Sequence, residues 1–293
     1  MTASPIPDSP FPIAGPIAFI GGGNMARSLI GGLVARGVRG ASIHVAEPVA
    51  SVREALALDF GVSVHADAAE AVAGARTWMF AVKPQVMREV CRSLAALARD
   101  APPLAVSIAA GITTAQMARW LGSGAGDDPG IAVVRAMPNT PALLGAGVSG
   151  LYANAQVGAD GRARAEALLS SAGKTVWIED EARMDAVTAV SGSGPAYVFL
   201  LAEAMEDAGI AEGLPAEAAR TLALQTVLGA ARMLTESEES PSELRRRVTS
   251  PGGTTQAAVE TFEAGGLRAL VAEAVHNAAE RGRQLSQAND DAA

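Results

Sequence analysis

A single cysteine, Cys91, occurs in 293 residues. An internal disulfide is therefore excluded, and so is a cysteine-based metal site. Histidine is almost as scarce, and His44, His65 and His276 fall in no ligand-like pair, so no metal is expected. Aromatic residues make up only 4% of the chain. Its core must be built from Ala, Val, Leu and Ile, which suits close-packed helices and parallel sheet. Basic residues are outnumbered, 23 against 31 acidic, for a net charge of −8. Such a surface repels a phosphate backbone, and nucleic acid is not expected as a partner. The one basic run, Arg245-Arg246-Arg247, follows Glu243 and reads as a solvated helix face. No apolar run approaches the roughly 20 residues that span a bilayer. Residues 1–13 hold Pro5, Pro7, Pro10 and Pro12 and no basic residue, unlike a secretory signal. They read as a disordered lead-in, and a cytoplasmic protein without a membrane partner is expected.

What is present is apolar: 49% hydrophobic against 18% charged, in a length that suits two domains. Short apolar runs alternate with helical patterns through the first half. Strands are predicted at 16–20, 43–46, 62–64, 78–82, 104–108 and 131–135. Helical spacing follows the first of them (Met25, Leu29, Ile30, Leu33, Val34), and a further helix starts at Pro84. This order predicts a doubly wound parallel sheet of Rossmann type over residues 14–179. From 180 to 293 only helical patterns appear, in runs from Pro195, from Pro215, after Pro251 and from Leu267 to Leu285. Cys91 sits in an apolar stripe with Val86, Met87, Val90 and Leu94 and reads as a small core residue.

The first strand ends in Gly21-Gly22-Gly23-Asn24-Met25-Ala26, a G-x-G-x-x-A pattern. The first glycine permits a tight turn, the second lets backbone approach a pyrophosphate, and the small third residue packs helix on sheet. The helix start then offers free N–H groups and a positive dipole end. Gly21, Gly23, Asn24 and Met25 are thus candidate dinucleotide contacts. Glu47 closes the second strand near where an acid takes the ribose hydroxyls, about 20 residues on, although a surface Glu before Pro48 is also a natural turn residue. Ala81, Val82, Lys83 and Pro84, and Ala109 and Gly111, lie in loops at strand C-terminal ends, which face the ligand crevice in such sheets. Lys83 reads equally as a phosphate or ribose contact and as a plain helix-start residue. Asn139 in Pro138-Asn139-Thr140-Pro141 reads either as a nicotinamide contact or as part of a turn.

With these motifs in place, the chain resembles the pyrroline-5-carboxylate reductases from Ile17 to Leu285. The likeness rests on the glycine segment, on Ala81-Val82-Lys83-Pro84 and on Ser107 to Gly111. It rests also on Arg135-Ala136-Met137-Pro138-Asn139-Thr140-Pro141, on Val190 to Tyr197 and on Ser250-Pro251-Gly252-Gly253-Thr254-Thr255. The glycine segment is shared by many dehydrogenases; the Met-Pro-Asn-Thr-Pro and Ser-Pro-Gly-Gly-Thr-Thr segments are far more specific. The resemblance implies reduction of L-1-pyrroline-5-carboxylate to L-proline with NADPH or NADH. It also implies a helical domain that interlocks into a homodimer, in many members a ring of dimers, with the substrate at Ser250, Gly252, Gly253, Thr254 and Thr255. Two departures stand out: the extension through Pro12, and Glu47 where NADPH-preferring members carry Ser or another neutral residue.

The chemistry fits a cyclic imine carrying a carboxylate. Free N–H groups after Gly252 and Gly253 can hold the carboxylate, and the Thr255 hydroxyl is the candidate catalytic group at the ring nitrogen. The same segment also reads as a Ser-Pro cap with a glycine hinge. Ser191-Gly192-Ser193-Gly194-Pro195 reads as a cap for the following helix. A β-hydroxyacid dehydrogenase is disfavoured because no Lys follows residue 180. A non-catalytic dinucleotide sensor is the remaining alternative.

Overall fold

The computed structural model describes residues 15–123 and 130–291; the expected lead-in at 1–13 lies outside them. The chain divides into two compact units, one running to Gly192 and resumed from Ala278, the other Ser193–Asn277.

The first unit is built on eight strands: β1 (Ile17–Ile20), β2 (Ile43–Ala46), β3 (Ser63–His65), β4 (Thr77–Phe80), β5 (Leu104–Ser107), β6 (Ala132–Met137), β7 (Gly147–Ala153) and β8 (Gly173–Trp177). Their order is β3-β2-β1-β4-β5-β6-β7-β8. All neighbours are parallel except β6 and β7. The order reverses between β1 and β4, the switch point where such sheets open a crevice. Helices α1 (Asn24–Ala35), α2 (Ala50–Phe60), α3 (Ala68–Val72), α4 (Pro84–Asp100), α5 (Thr114–Trp120) and α6 (Ala159–Ser170) connect the strands.

Alternate residues of β1 feed opposite faces, as the strand period requires. Ile17 and Phe19 join Leu29, Val45 and Leu168 on one side; Ala18 and Ile20 join Phe80, Met87 and Leu94 on the other. Phe19 and Phe80 are fully buried, each contributing about 1.5–3 kcal/mol by burial. Cys91 lies in the second cluster, and burial pushes its thiol pKa up to about 12.

The second unit is helical: α8 (Gly194–Ala211), α9 (Ala216–Glu236), α10 (Pro241–Arg247), α11 (Thr254–Ala264) and the first part of α12 (Leu267–Asp291), after a short α7 (Met184–Val187) in the first unit. The basic run closes the exposed α10, where Arg246 and Arg247 pair with Glu243.

The structure departs from the sequence reading in three places. Strands β7 and β8, with α6, extend the sheet beyond the six expected strands, and β7 runs antiparallel to β6. Second, the compact unit that holds the sheet runs on to Gly192, whereas the sequence reading begins the helical domain at 180. Residues 181–192 pack on the sheet: Met184 is fully buried, Arg135 donates to Asp185 at 3.0 Å, and Val187 fills the space a Cβ on Gly150 would need. Third, α12 continues past Leu285, and its last turns belong to the first unit. No helix among the described residues is long and apolar enough to cross a membrane.

Candidate active site

Strand pairing brings Gly21, Glu47, Ala81 and Ala109 to the C-terminal ends of four adjacent strands, β2-β1-β4-β5. Gly21 has φ +102°, and a Cβ there would sit 2.7 Å from the Ala81 carbonyl oxygen. That position needs glycine twice over, for its backbone angle and for the close approach. Gly23 is different. It enters α1 with ordinary φ −68° and no side-chain cap, and a Cβ would meet no protein atom within 4 Å. Packing does not explain this glycine, whereas a ligand approaching the backbone does. Ala26 is buried behind it, Asn24 is exposed and Met25 packs partly on the core. The first N–H groups of α1 have no capping side chain and are left for a phosphate. The residues present therefore fit a dinucleotide.

The Glu47 carboxylate is held by backbone, accepting from Gly22 N at 2.9 Å and from Val49 N at 3.0 Å. Arg53, six residues on, is turned to carbonyls: Nη1 donates to Glu47 O at 2.6 Å and Pro48 O at 2.8 Å. Lys83 caps α4 by backbone alone, its side chain exposed, ahead of Pro84 in the first turn. Gly111 has φ +71° and is buried, its carbonyl accepting from Asn289 at 2.9 Å. Asn139 spends both ends of its amide inside the protein: Nδ2 donates to Ser191 O at 3.1 Å, and Oδ1 accepts from Val148 N at 2.9 Å. It stitches β7 to the π-helical turn at Thr188–Gly192. The turn reading of Asn139 accounts for these two bonds, which leave one Nδ2 hydrogen and one Oδ1 lone pair unused.

The Ser250–Thr255 segment lies in the second unit. Gly252 has φ +72° and donates to Gln256 Oε1 at 2.7 Å. Gly253 donates to Ser250 O at 3.0 Å and enters α11 in extended conformation with no side-chain cap. The first N–H groups of α11 are thus open, as at α1, and can hold a carboxylate. Thr255 is half-buried, and its hydroxyl has no hydrogen-bond partner among the described residues. No group of His, Cys, Asp or Glu among the described residues could hold a metal.

Comparison with known proteins decides the family. A model described as pyrroline-5-carboxylate reductase dimerisation matches residues 181–285. One described as NADP oxidoreductase, coenzyme F420-dependent, matches residues 16–111. The pyrroline-5-carboxylate reductase of Pseudomonas aeruginosa is 54% identical over 271 residues, covering 92% of this chain and 97% of that protein. The chain belongs to the pyrroline-5-carboxylate reductase family. The Arabidopsis thaliana member is 40% identical over 289 residues, 98% of this chain and 100% of that one. The solved Coxiella burnetii pyrroline-5-carboxylate reductase superposes with a TM-score of 0.88 at 40% identity, covering 93% and 98% of the two chains. The Plasmodium falciparum enzyme, solved with NADP bound, superposes at 0.79 with 26% identity, covering 92% and 98%.

Proposed function

We propose that the chain reduces L-1-pyrroline-5-carboxylate to L-proline. The observation that carries the reading is a pair of helix starts in one family member: α1 and α11 are each entered through glycine and left without a side-chain cap. The first suits a pyrophosphate and the second a small carboxylate. When bound, the reduced dinucleotide supplies a hydride to the imine carbon. The protein's part is orientation. Gly21 and Gly23 bring backbone to the pyrophosphate. The loops at Ala81–Pro84 and Ala109–Gly111 line the nicotinamide end. The open N–H groups of Thr254 and Thr255 hold the substrate carboxylate, with Ser250 and Gly252 shaping the turn. The Thr255 hydroxyl bonds the ring nitrogen, favouring the protonated imine that accepts hydride; no histidine lies in the segment to act as a dedicated acid.

Glu47 sets the cofactor choice. Its fixed carboxylate accepts from ribose hydroxyls and opposes a 2′-phosphate. Two like charges about 4 Å apart cost roughly 1 kcal/mol in water and roughly 4 at an effective dielectric of 20; the half-buried position favours the lower part. NADH is therefore used at least as well as NADPH. The apolar faces of α8, α9 and α12 are covered by a second copy. Phe199, Leu200 and Leu270 are each more than 60% exposed in the single chain, too much apolar surface for a lone helical unit.

Initial rates with L-1-pyrroline-5-carboxylate and its six-membered homologue, each with NADH and NADPH, test the reading. The expected result is faster turnover of the five-membered imine, with proline as product. A folded protein that binds dinucleotide but turns over neither imine would be a dinucleotide-binding protein of another function.

A further inference from the structure

The loop after β5 is held from two sides by residues that lie far away in sequence. On one side, Asn289 Nδ2 donates to the buried Gly111 carbonyl at 2.9 Å. A Cβ on Gly111 would come 3.4 Å from Leu285 Cβ, so loop and helix are in close contact. Next to it, Gln116 is 1% exposed and links the loop's helix to α12. Its Oε1 accepts from Thr113 N at 2.8 Å, and its Nε2 donates to Ser286 O at 3.2 Å. On the other side, Glu181 accepts from Thr114 N at 2.7 Å and from Thr114 Oγ1 at 2.8 Å. Glu181 in turn lies 3.7 Å from the buried Arg135, which also pairs with Asp185. Ser286 and Asn289 lie beyond the 181–285 stretch matched by the family model.

We propose that Asn289 is a positioning residue for dinucleotide binding, acting through the Gly111 peptide. The inference rests on the reading above that the Ala109–Gly111 loop lines the nicotinamide end. Gly111 sits in the left-handed region, where glycine is free to leave its native angle. The Asn289 amide removes that freedom before the dinucleotide arrives. Without it, the loop is ordered only on binding, and affinity falls by the cost of that ordering. The second clamp at Thr114 keeps the fold of the loop's helix, so the effect is on affinity more than on stability.

Asn289→Leu keeps the bulk and removes the donor. Fluorescence titration of the full-length protein should show Kd for NADH and NADPH both raised, by about three- to tenfold, the range of one lost hydrogen bond. The ratio between the two cofactors should not move, because the loop is remote from the 2′ position. Turnover at saturating dinucleotide should stay within about twofold. An unchanged Kd in Asn289→Leu, or a change in only one cofactor, overturns the proposal. Gly23→Val separates this from failure of the underlying reading: a Cβ there meets no protein atom within 4 Å, and the variant should fold. If Gly23→Val binds dinucleotide normally, the placement of the cofactor fails, and the brace with it. If Gly23→Val loses binding while Asn289→Leu does not, the brace alone fails.

Discussion

The two units solve the burial problem differently. In the first, Phe19, Phe80, Leu29, Leu33 and Met79 are fully buried, and the sheet is covered on both faces. In the second, the only buried hydrophobic side chains are Ala202, Ala219 and Ala223, while Phe199, Leu222, Leu228 and Val271 stand half-exposed or more. The first unit buries its large apolar side chains within itself, whereas the second leaves its own exposed. At their helix starts the two units are alike. Helices α3, α5 and α10 are capped by the side chains of Asp67, Thr113 and Ser240. Helices α1 and α11 are entered by glycine and left open, as is α6 after Gly158. An open start is thus not peculiar to the proposed ligand sites; what sets α1 and α11 apart is the motif that precedes each, Gly21-Gly22-Gly23 and Ser250-Pro251-Gly252-Gly253.

The comparison breaks most severely at the glycines. Gly21→Ala forces a Cβ against Ala81 backbone and into a strained angle, costing about 1–3 kcal/mol for the backbone alone. It should lower the melting temperature and abolish dinucleotide binding together. Gly23→Val should separate the two effects, with binding lost and the melting temperature lowered by no more than a helix-cap change would, about 1 kcal/mol. Next comes the second unit's exposed face. Phe199→Glu loses about 1.5–3 kcal/mol of burial on each copy and adds a charge. Light scattering over a dilution series should show dissociation at concentrations where the parent protein is a dimer; an unchanged dimer would place the interface elsewhere. A smaller effect is expected at Glu47. Glu47→Ser should shift the NADPH-to-NADH ratio of kcat/KM toward NADPH by about tenfold, or about 1.4 kcal/mol. An unmoved ratio would free Glu47 from that role. The smallest effect is at Cys91. Its thiol, pushed up to about 12 by burial, carries almost no thiolate at neutral pH, so the folded protein should resist alkylation that the unfolded chain accepts.

These expectations draw unevenly on the sequence. Strands β1 to β6 were readable within a residue or two at most ends, because each is a short apolar run closed by glycine, proline or a polar turn. The glycine turn after β1 was readable for the same reason. Strand β7 was not: its Gly147 and Gly150 weaken any strand pattern, and Gly150 makes sense only once Val187 is seen against it. Strand β8 lies at the sheet edge with exposed Lys174 and Val176 and carries little hydrophobic signal. The unit boundary depends on the Arg135–Asp185 pair, and on the return of α12 to Gln116 and Gly111 through Ser286 and Asn289, contacts that no local period encodes. Asn139 was visible as a motif residue, but only the fold shows both ends of its amide already engaged.

The division of labour is the central claim: the first unit holds the dinucleotide, and the second supplies the group that works on the imine. Thr255→Val tests it most directly, since it keeps the shape of the side chain and removes only the hydroxyl. Dinucleotide Kd should stay within about twofold of the parent, while kcat/KM for pyrroline-5-carboxylate falls by about tenfold or more, the cost of losing one polar contact to a buried reacting group. An unchanged kcat/KM, or a loss accounted for entirely by weaker dinucleotide binding, would contradict the account.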